Sequence, residues 1–284
     1  MAYDKDYCNG QYNARAMVPD HADFIRRWAA DSRAARQAEA CFLDIPWGGQ
    51  PGQTLDMFPA RRPRRGGAPL LVFLHGGYWR SLDKSDFSYI APAFTRAGAA
   101  VAVVNYRLVP SVTMEDQVRD VLSAITWCYL HAGQYGADPQ RIYVSGHSAG
   151  GHLTAMMLAC EWPRWHGALP PNVVKGGLAI SGLYDLEPIM NAEFLNVDLK
   201  LDLERVARLS PAWMKPAADT VLMTSVGGAE SDEFGRQNRL IAERWPTVFK
   251  RDVPMPGHHH FSICSALADR ASPLHRAALE LLGL

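Results

Sequence analysis

The sequence predicts an α/β fold: a mostly parallel central sheet with helices on both faces and a small cap insertion. Short, continuous apolar runs recur along the chain, as strands buried on both faces require. Longer stretches with helical spacing separate them, which is the alternation of a doubly covered parallel sheet. The 284 residues are 48% hydrophobic and 20% charged, a composition and length suited to one large domain with a substantial core, expected over 1–284.

The elements follow in order. The opening stretch, YDKDYCNGQYNAR, is polar with aromatics and shows no period. Residues 1–38 are expected to form an N-terminal extension with a helix over 19–37. There Phe24, Ile25 and Trp28 make an apolar stripe, and Asp20 can cap the start. Strands over 41–47 and 53–58, joined by a Gly/Pro-rich turn, read as an antiparallel hairpin at a sheet edge. The cluster Arg61, Arg62, Arg64 and Arg65 lies between strand-like runs and reads as a solvated loop. Six apolar strands are then expected at 69–74, 99–106, 141–146, 173–181, 220–226 and 247–253. Helices are expected at 86–97, 114–129, 149–161, 234–245 and 261–282. Residues 183–210 fit no strand, and 183–213 is expected to lie as a cap over the carboxyl edge of the sheet.

Composition excludes several functions. Lys plus Arg equals Asp plus Glu, so no basic field invites nucleic acid. The five cysteines are odd in number and form no CxxC pair, which argues against a disulfide framework and a structural zinc. The start does not read as a signal peptide, and no apolar run approaches the ~18 residues of a membrane helix. A cytoplasmic protein without metal or cofactor is the expectation. A homodimer is compatible with the sequence, which does not decide it.

The strongest signal is RIYVSGHSAGGHLTAMML, where Gly146-His147-Ser148-Ala149-Gly150 matches G-x-S-x-G between a strand and a helix. Glycines there allow a sharp strand-to-helix turn that exposes the serine at the sheet edge, facing the partly positive end of the new helix. A serine hydroxyl is a poor nucleophile without a base beside it. LLVFLHGGYW, at the end of an earlier strand, gives up side-chain packing for two glycines.

Strand, HGGYW, strand, NYRL, helix, strand, GHSAG, helix resembles the α/β-hydrolase fold, and HGG places the chain near hormone-sensitive-lipase-like esterases. Those carry a third glycine; Tyr78 and Trp79 here give H-G-G-x-W, which resembles the kynurenine formamidases (arylformamidases). YNAR, DIPWGGQPGQTLDMFPA, VGGAESDEFGRQNRL and HHHFSI extend that resemblance over nearly the whole chain.

The fold implies roles. Attack by Ser148 creates an oxyanion that needs donors already in place. Those expected are the backbone N–H of Ala149 and of Gly77 and Tyr78, with Gly76 shaping the turn. His75 is expected to brace this loop. Tyr78 and Trp79 stand either in the core or in a pocket wall, with the family resemblance favouring a wall for Tyr78; Trp213 is a further pocket candidate. The order Ser, acid, His places the base in MPGHHHFSI, where the family pattern selects His260 over His259. Three adjacent histidines on a loop cannot easily face one ion. His147 and His152 are expected to be structural. The acid lies in VGGAESDEFGRQN. Asp232 as a helix cap and Glu233 in a first turn have local explanations, while Glu230 has none and takes the position where the family usually has Asp. Asp232 stays the alternative. The resemblance implies a serine hydrolase that cleaves N-formyl-L-kynurenine to kynurenine and formate through an acyl-enzyme. The competing readings are a general carboxylesterase or small aryl-amide hydrolase with the same residues, and a receptor of this fold that binds without turnover.

Overall fold

A computed structural model describes residues 3–63, 65–217 and 219–284. Eight strands form one sheet: β1 (Phe42–Pro46), β2 (Thr54–Phe58), β3 (Ala68–Leu74), β4 (Ala100–Val104), β5 (Ala137–His147), β6 (Val174–Ile180), β7 (Leu222–Ser225) and β8 (Phe249–Asp252). Their order is β1-β2-β4-β3-β5-β6-β7-β8. The pairs β1/β2 and β2/β4 are antiparallel, and every later pair is parallel. The expected edge hairpin and the expected parallel core are both present, and the architecture is that of an α/β-hydrolase fold.

Every residue of β3 and β4 is buried. Alternate side chains serve different layers, because successive side chains in a strand point to opposite faces. Leu70, Val72 and Leu74 join one core cluster, with Val121 and Ile125 of helix Met114–His131 and Leu153 of helix Ala149–Leu158. Leu71 and Phe73 join the other, with Trp28 of helix His21–Ala38, Phe94 of helix Ala91–Ala97 and Leu274 of helix Pro273–Leu282. This two-sided burial explains why the strands read as unbroken apolar runs.

The structure departs from the expectations at local signals. Residues 261–282 form two helices, Ser262–Ala266 and Pro273–Leu282. The second restarts at Pro273, with the Ser272 hydroxyl accepting the Leu274 N–H, a favoured place for proline. The expected helix at 86–97 begins at Ala91, after two 3-10 turns, the first capped by Asp83. Asp20 stands at the N-cap of its helix without a side-chain cap bond. The aperiodic opening holds two short helices, Lys5–Tyr12 and Ala14–Met17, whose N-caps Asp4 and Asn13 accept the N–H groups of Tyr7 and Ala16. The arginine loop is not wholly solvated: Arg61 makes two hydrogen bonds, of 3.0 and 2.7 Å, to the buried Glu39. Arg64 lies outside the described residues. Among those residues, no helix is long and apolar enough to cross a membrane, and all five cysteines are free thiols.

Residues 183–213 carry three short helices, Glu187–Asn191, Glu193–Leu199 and Leu203–Leu209. The middle one is tied to the HGGYW turn. The Arg80 guanidinium donates to Asp198 Oδ2 at 2.6 Å and to the Phe194 carbonyl at 2.8 Å.

Candidate active site

β5 ends at His147 and a helix begins at Ala149, which leaves Ser148 at the corner with φ 58° and ψ −116°. Strain of this kind costs about 1–3 kcal/mol and persists only where the surroundings over-determine it. They do so here. A Cβ on Gly146 would stand 2.2 Å from the Gly150 carbonyl oxygen, and one on Gly150 would stand 2.0 Å from that of Leu74. The Ser148 N–H is held by the Ile180 carbonyl at 2.8 Å. Ser148 lines a cavity of about 140 Å³ together with His260, Gly77 and Tyr78.

The histidine and the acid arrive on two loops joined by backbone bonds. Gly228 and Ala229 donate to the carbonyls of Met255 and His258, each at 3.0 Å. This close approach needs a glycine, since a Cβ on Gly227 would stand 2.1 Å from the His258 oxygen. It brings His260 Nδ1 to 2.6 Å from Glu230 Oε2. The other carboxylate oxygen accepts the Ser181 hydroxyl at 2.6 Å and the Gly227 N–H at 2.8 Å. With the Nδ1 proton directed at the carboxylate, Nε2 is left as the basic nitrogen. The His260 ring lies between those of His147 and Phe234, each centroid 4.6 Å away.

The alternatives are placed elsewhere. Asp232 is exposed in the first turn of helix Asp232–Arg244. Glu233 is buried, accepts the Tyr12 hydroxyl at 2.6 Å and pairs with Arg236. His259 Nδ1 accepts the N–H groups of Phe261 and Ser262, and its ring meets Phe24 edge-on. His259 and His260 thus face different surroundings. His147 is buried but also lines the cavity, and burial, then its neighbour His260, push its pKa well down.

The HGGYW stretch closes a turn in which the Arg80 N–H donates to the Gly77 carbonyl at 3.1 Å. Its central residues, Tyr78 and Trp79, have φ 49° and 59°, values that such turns ordinarily give to glycine or asparagine. Specific anchors hold them there. The Tyr78 hydroxyl donates to the Tyr12 carbonyl. Trp79 Nε1 donates to His152 Nδ1 at 3.2 Å, and the Trp79 carbonyl accepts the Gln117 amide at 2.6 Å. Gly77 has φ 109°, and a Cβ on it would stand 2.1 Å from the Ser81 carbonyl oxygen. No acceptor among the described residues takes the N–H of Gly77, Tyr78 or Ala149. His75 is fully buried. It stacks on Tyr106 at 4.4 Å, and the Tyr106 hydroxyl donates to its carbonyl at 2.7 Å, so it braces the start of the loop.

Two pocket expectations are corrected. Trp79 is wholly buried and packs against His152 beneath the turn, away from the cavity. Trp213 is half exposed, and the Arg244 guanidinium lies over its ring at 4.0 Å. The insertion reaches the cavity through Phe194 instead, and the N-terminal segment adds Asn13, Ala14 and Arg15. Neither contribution follows from periodicity; the only sequence signal was the YNAR tetrapeptide. Replacing Trp79 with phenylalanine orphans the buried His152 nitrogen and is expected to lower stability by about 1–3 kcal/mol, read from urea midpoints.

Comparison with known proteins places this geometry. A family model described as BD-FAE matches residues 55–162. A kynurenine formamidase of Danio rerio is 30% identical, with 100% of this chain and 95% of the relative covered. The chain belongs to the kynurenine formamidase family. The Drosophila melanogaster kynurenine formamidase is also 30% identical, covering 89% of this chain and 86% of its own. A solved protein from Silicibacter sp. superposes with a TM-score of 0.82 at 30% identity, covering 97% and 98% of the two chains. Esterase B of Lactobacillus rhamnosis shares the fold at a TM-score of 0.73 and 19% identity, covering 95% and 94%. The protein is a hydrolase of the α/β-hydrolase fold.

The buried histidines of this site give a pH signature. Burial lowers the pKa of His75 and His147 and takes that of His152 to about 4. Below the ordinary histidine value of about 6.5 the unfolded chain binds protons that the folded chain refuses. Stability is therefore expected to fall as pH drops from 6.5 towards 4, by up to ~1.4 kcal/mol per unit for each such ring. Denaturation midpoints at pH 7.5 and 5 check this, and equal midpoints would contradict it.

Proposed function

We propose that this hydrolase removes the formyl group of N-formyl-L-kynurenine through a covalent intermediate on Ser148. The observation that carries the reading is one cavity lined by a strained serine and by a histidine bonded to a buried carboxylate. The names of the full-length relatives supply the substrate.

Ser148 Oγ attacks the formyl carbon while His260 Nε2 takes its proton. Glu230 holds the ring orientation and stabilises the imidazolium, without taking up the proton itself. The oxyanion meets the N–H groups of Gly77, Tyr78 and Ala149, donors that need no reorganisation. The C–N bond then breaks as His260 protonates the departing aromatic amine. Water, deprotonated by the same nitrogen, attacks the formyl ester and releases formate and Ser148. Formyl is the smallest acyl group and takes little of a cavity of about 140 Å³, while Tyr78 and Phe194 offer aromatic surface to the leaving group.

The test compares kcat/KM on N-formyl-L-kynurenine and p-nitrophenyl acetate. The formamide is expected to be preferred despite its less reactive bond. A strong preference for the acetate would replace this reading with a general esterase.

A further inference from the structure

Two guanidinium groups line the cavity, Arg15 and Arg80, and no carboxylate does. They differ in what they already hold. Arg80 is engaged by Asp198 and the Phe194 carbonyl, so its charge is compensated and its task is to join the turn to the insertion. Arg15 is exposed and has no carboxylate partner among the described residues. Its single side-chain hydrogen bond is a long one, from Nη2 to Ser81 Oγ at 3.5 Å. The Ser81 hydroxyl in turn donates to the Gly77 carbonyl at 2.9 Å. The Arg15 guanidinium thus stands two hydrogen bonds from the turn beside Ser148, on a solvent-exposed residue of the cavity lining.

We propose that Arg15 is a specificity-determining residue that binds a carboxylate carried by the leaving group. This deepens the deformylase reading and rests on it. The leaving group of N-formyl-L-kynurenine carries its carboxylate at the end of a short chain, beyond the aromatic ring. With the formyl carbon at Ser148 and the ring against Tyr78 and Phe194, that carboxylate faces outward, towards the guanidinium of the cavity that has no carboxylate partner among the described residues. A guanidinium offers a planar pair of N–H groups that matches both oxygens. Arg15 is held at this spot because Asn13 caps its short helix and the preceding residue, Ala14, is buried. The preference is therefore for anionic aryl formamides over neutral ones.

The experiment measures kcat/KM for N-formyl-L-kynurenine and for its carboxamide, which differs by the lost charge. In wild type the acid is preferred. In Arg15→Met the acid-to-amide ratio is expected to fall about 10–100-fold, the effect of one charge-assisted pair. Most of that fall is expected in KM, as for a contact made equally in ground and transition states. Arg15→Lys recovers part of the ratio. Arg33→Met, exposed on the neighbouring helix and outside the cavity lining, keeps the wild-type ratio. An unchanged ratio in Arg15→Met, or an equal loss on both substrates, overturns the proposal. If wild type hydrolyses neither formamide, the deformylase reading fails on its own. The ratio for an acetylated phenol bearing a propanoate side chain, against its carboxamide, then decides for or against Arg15.

Discussion

Ser148→Ala is expected to lower kcat by about 10⁴–10⁶-fold, because the nucleophile and its base act as one unit. The folded state should barely notice. The Ser148 hydroxyl makes no hydrogen bond among the described residues, and alanine needs the same φ of 58° that the turn already imposes. Thermal midpoints within a few degrees of wild type, together with lost turnover, are therefore the expected pair of results. The double variant Ser148→Ala/His260→Ala should be hardly slower than Ser148→Ala alone, since the histidine has nothing left to activate. Substantial turnover in Ser148→Ala would mean that water attacks the substrate directly and no acyl-enzyme forms.

Glu230→Gln should reduce kcat by about 10⁴-fold while leaving a folded protein. The amide keeps the volume and can still accept from Ser181 and Gly227, but its NH₂ facing His260 Nδ1 favours the other tautomer. Nε2 then carries a proton when it should take one. Glu230→Asp keeps the charge one methylene further away. Since the 2.6 Å contact and the two supporting bonds are set by the longer chain, a partial loss is expected, smaller than that of Gln. Single-turnover acylation rates measured across pH separate the two variants. If Glu230→Gln kept near-wild-type rates, another group would be orienting the imidazole.

Much of this site could be read from sequence because its parts are local. The strand-to-turn-to-helix corner at Ser148 needs small residues at Gly146 and Gly150, where a Cβ would meet backbone at about 2 Å, and this requirement leaves a short written trace. Sequence favours Glu230 over Asp232, because a carboxylate in a helix's first turn already has local work, and Glu230 is the one that meets His260. The pocket walls were less legible. Trp79 and Tyr78 are neighbours, yet one is buried on His152 and the other lines the cavity, a division set by anchors more than sixty residues away. Phe194 and Arg15 reach the same space from the insertion and the amino-terminal end, through contacts no periodicity encodes. The 261–282 stretch splits into two helices for the opposite reason: the Ser272-Pro273 restart is a local signal inside an otherwise continuous helical pattern.

The Tyr12 backbone carbonyl receives the Tyr78 hydroxyl, its own hydroxyl reaches Glu233, and Gln237 donates to that hydroxyl at 3.0 Å. Residues 3–12 therefore act as a buttress. Variants shortened from the front should keep a sound sheet yet lose their grip on substrate. A directed-evolution effort towards bulkier substrates would find in the exposed positions of this arm a place to act that is remote in sequence from Ser148, Glu230 and His260.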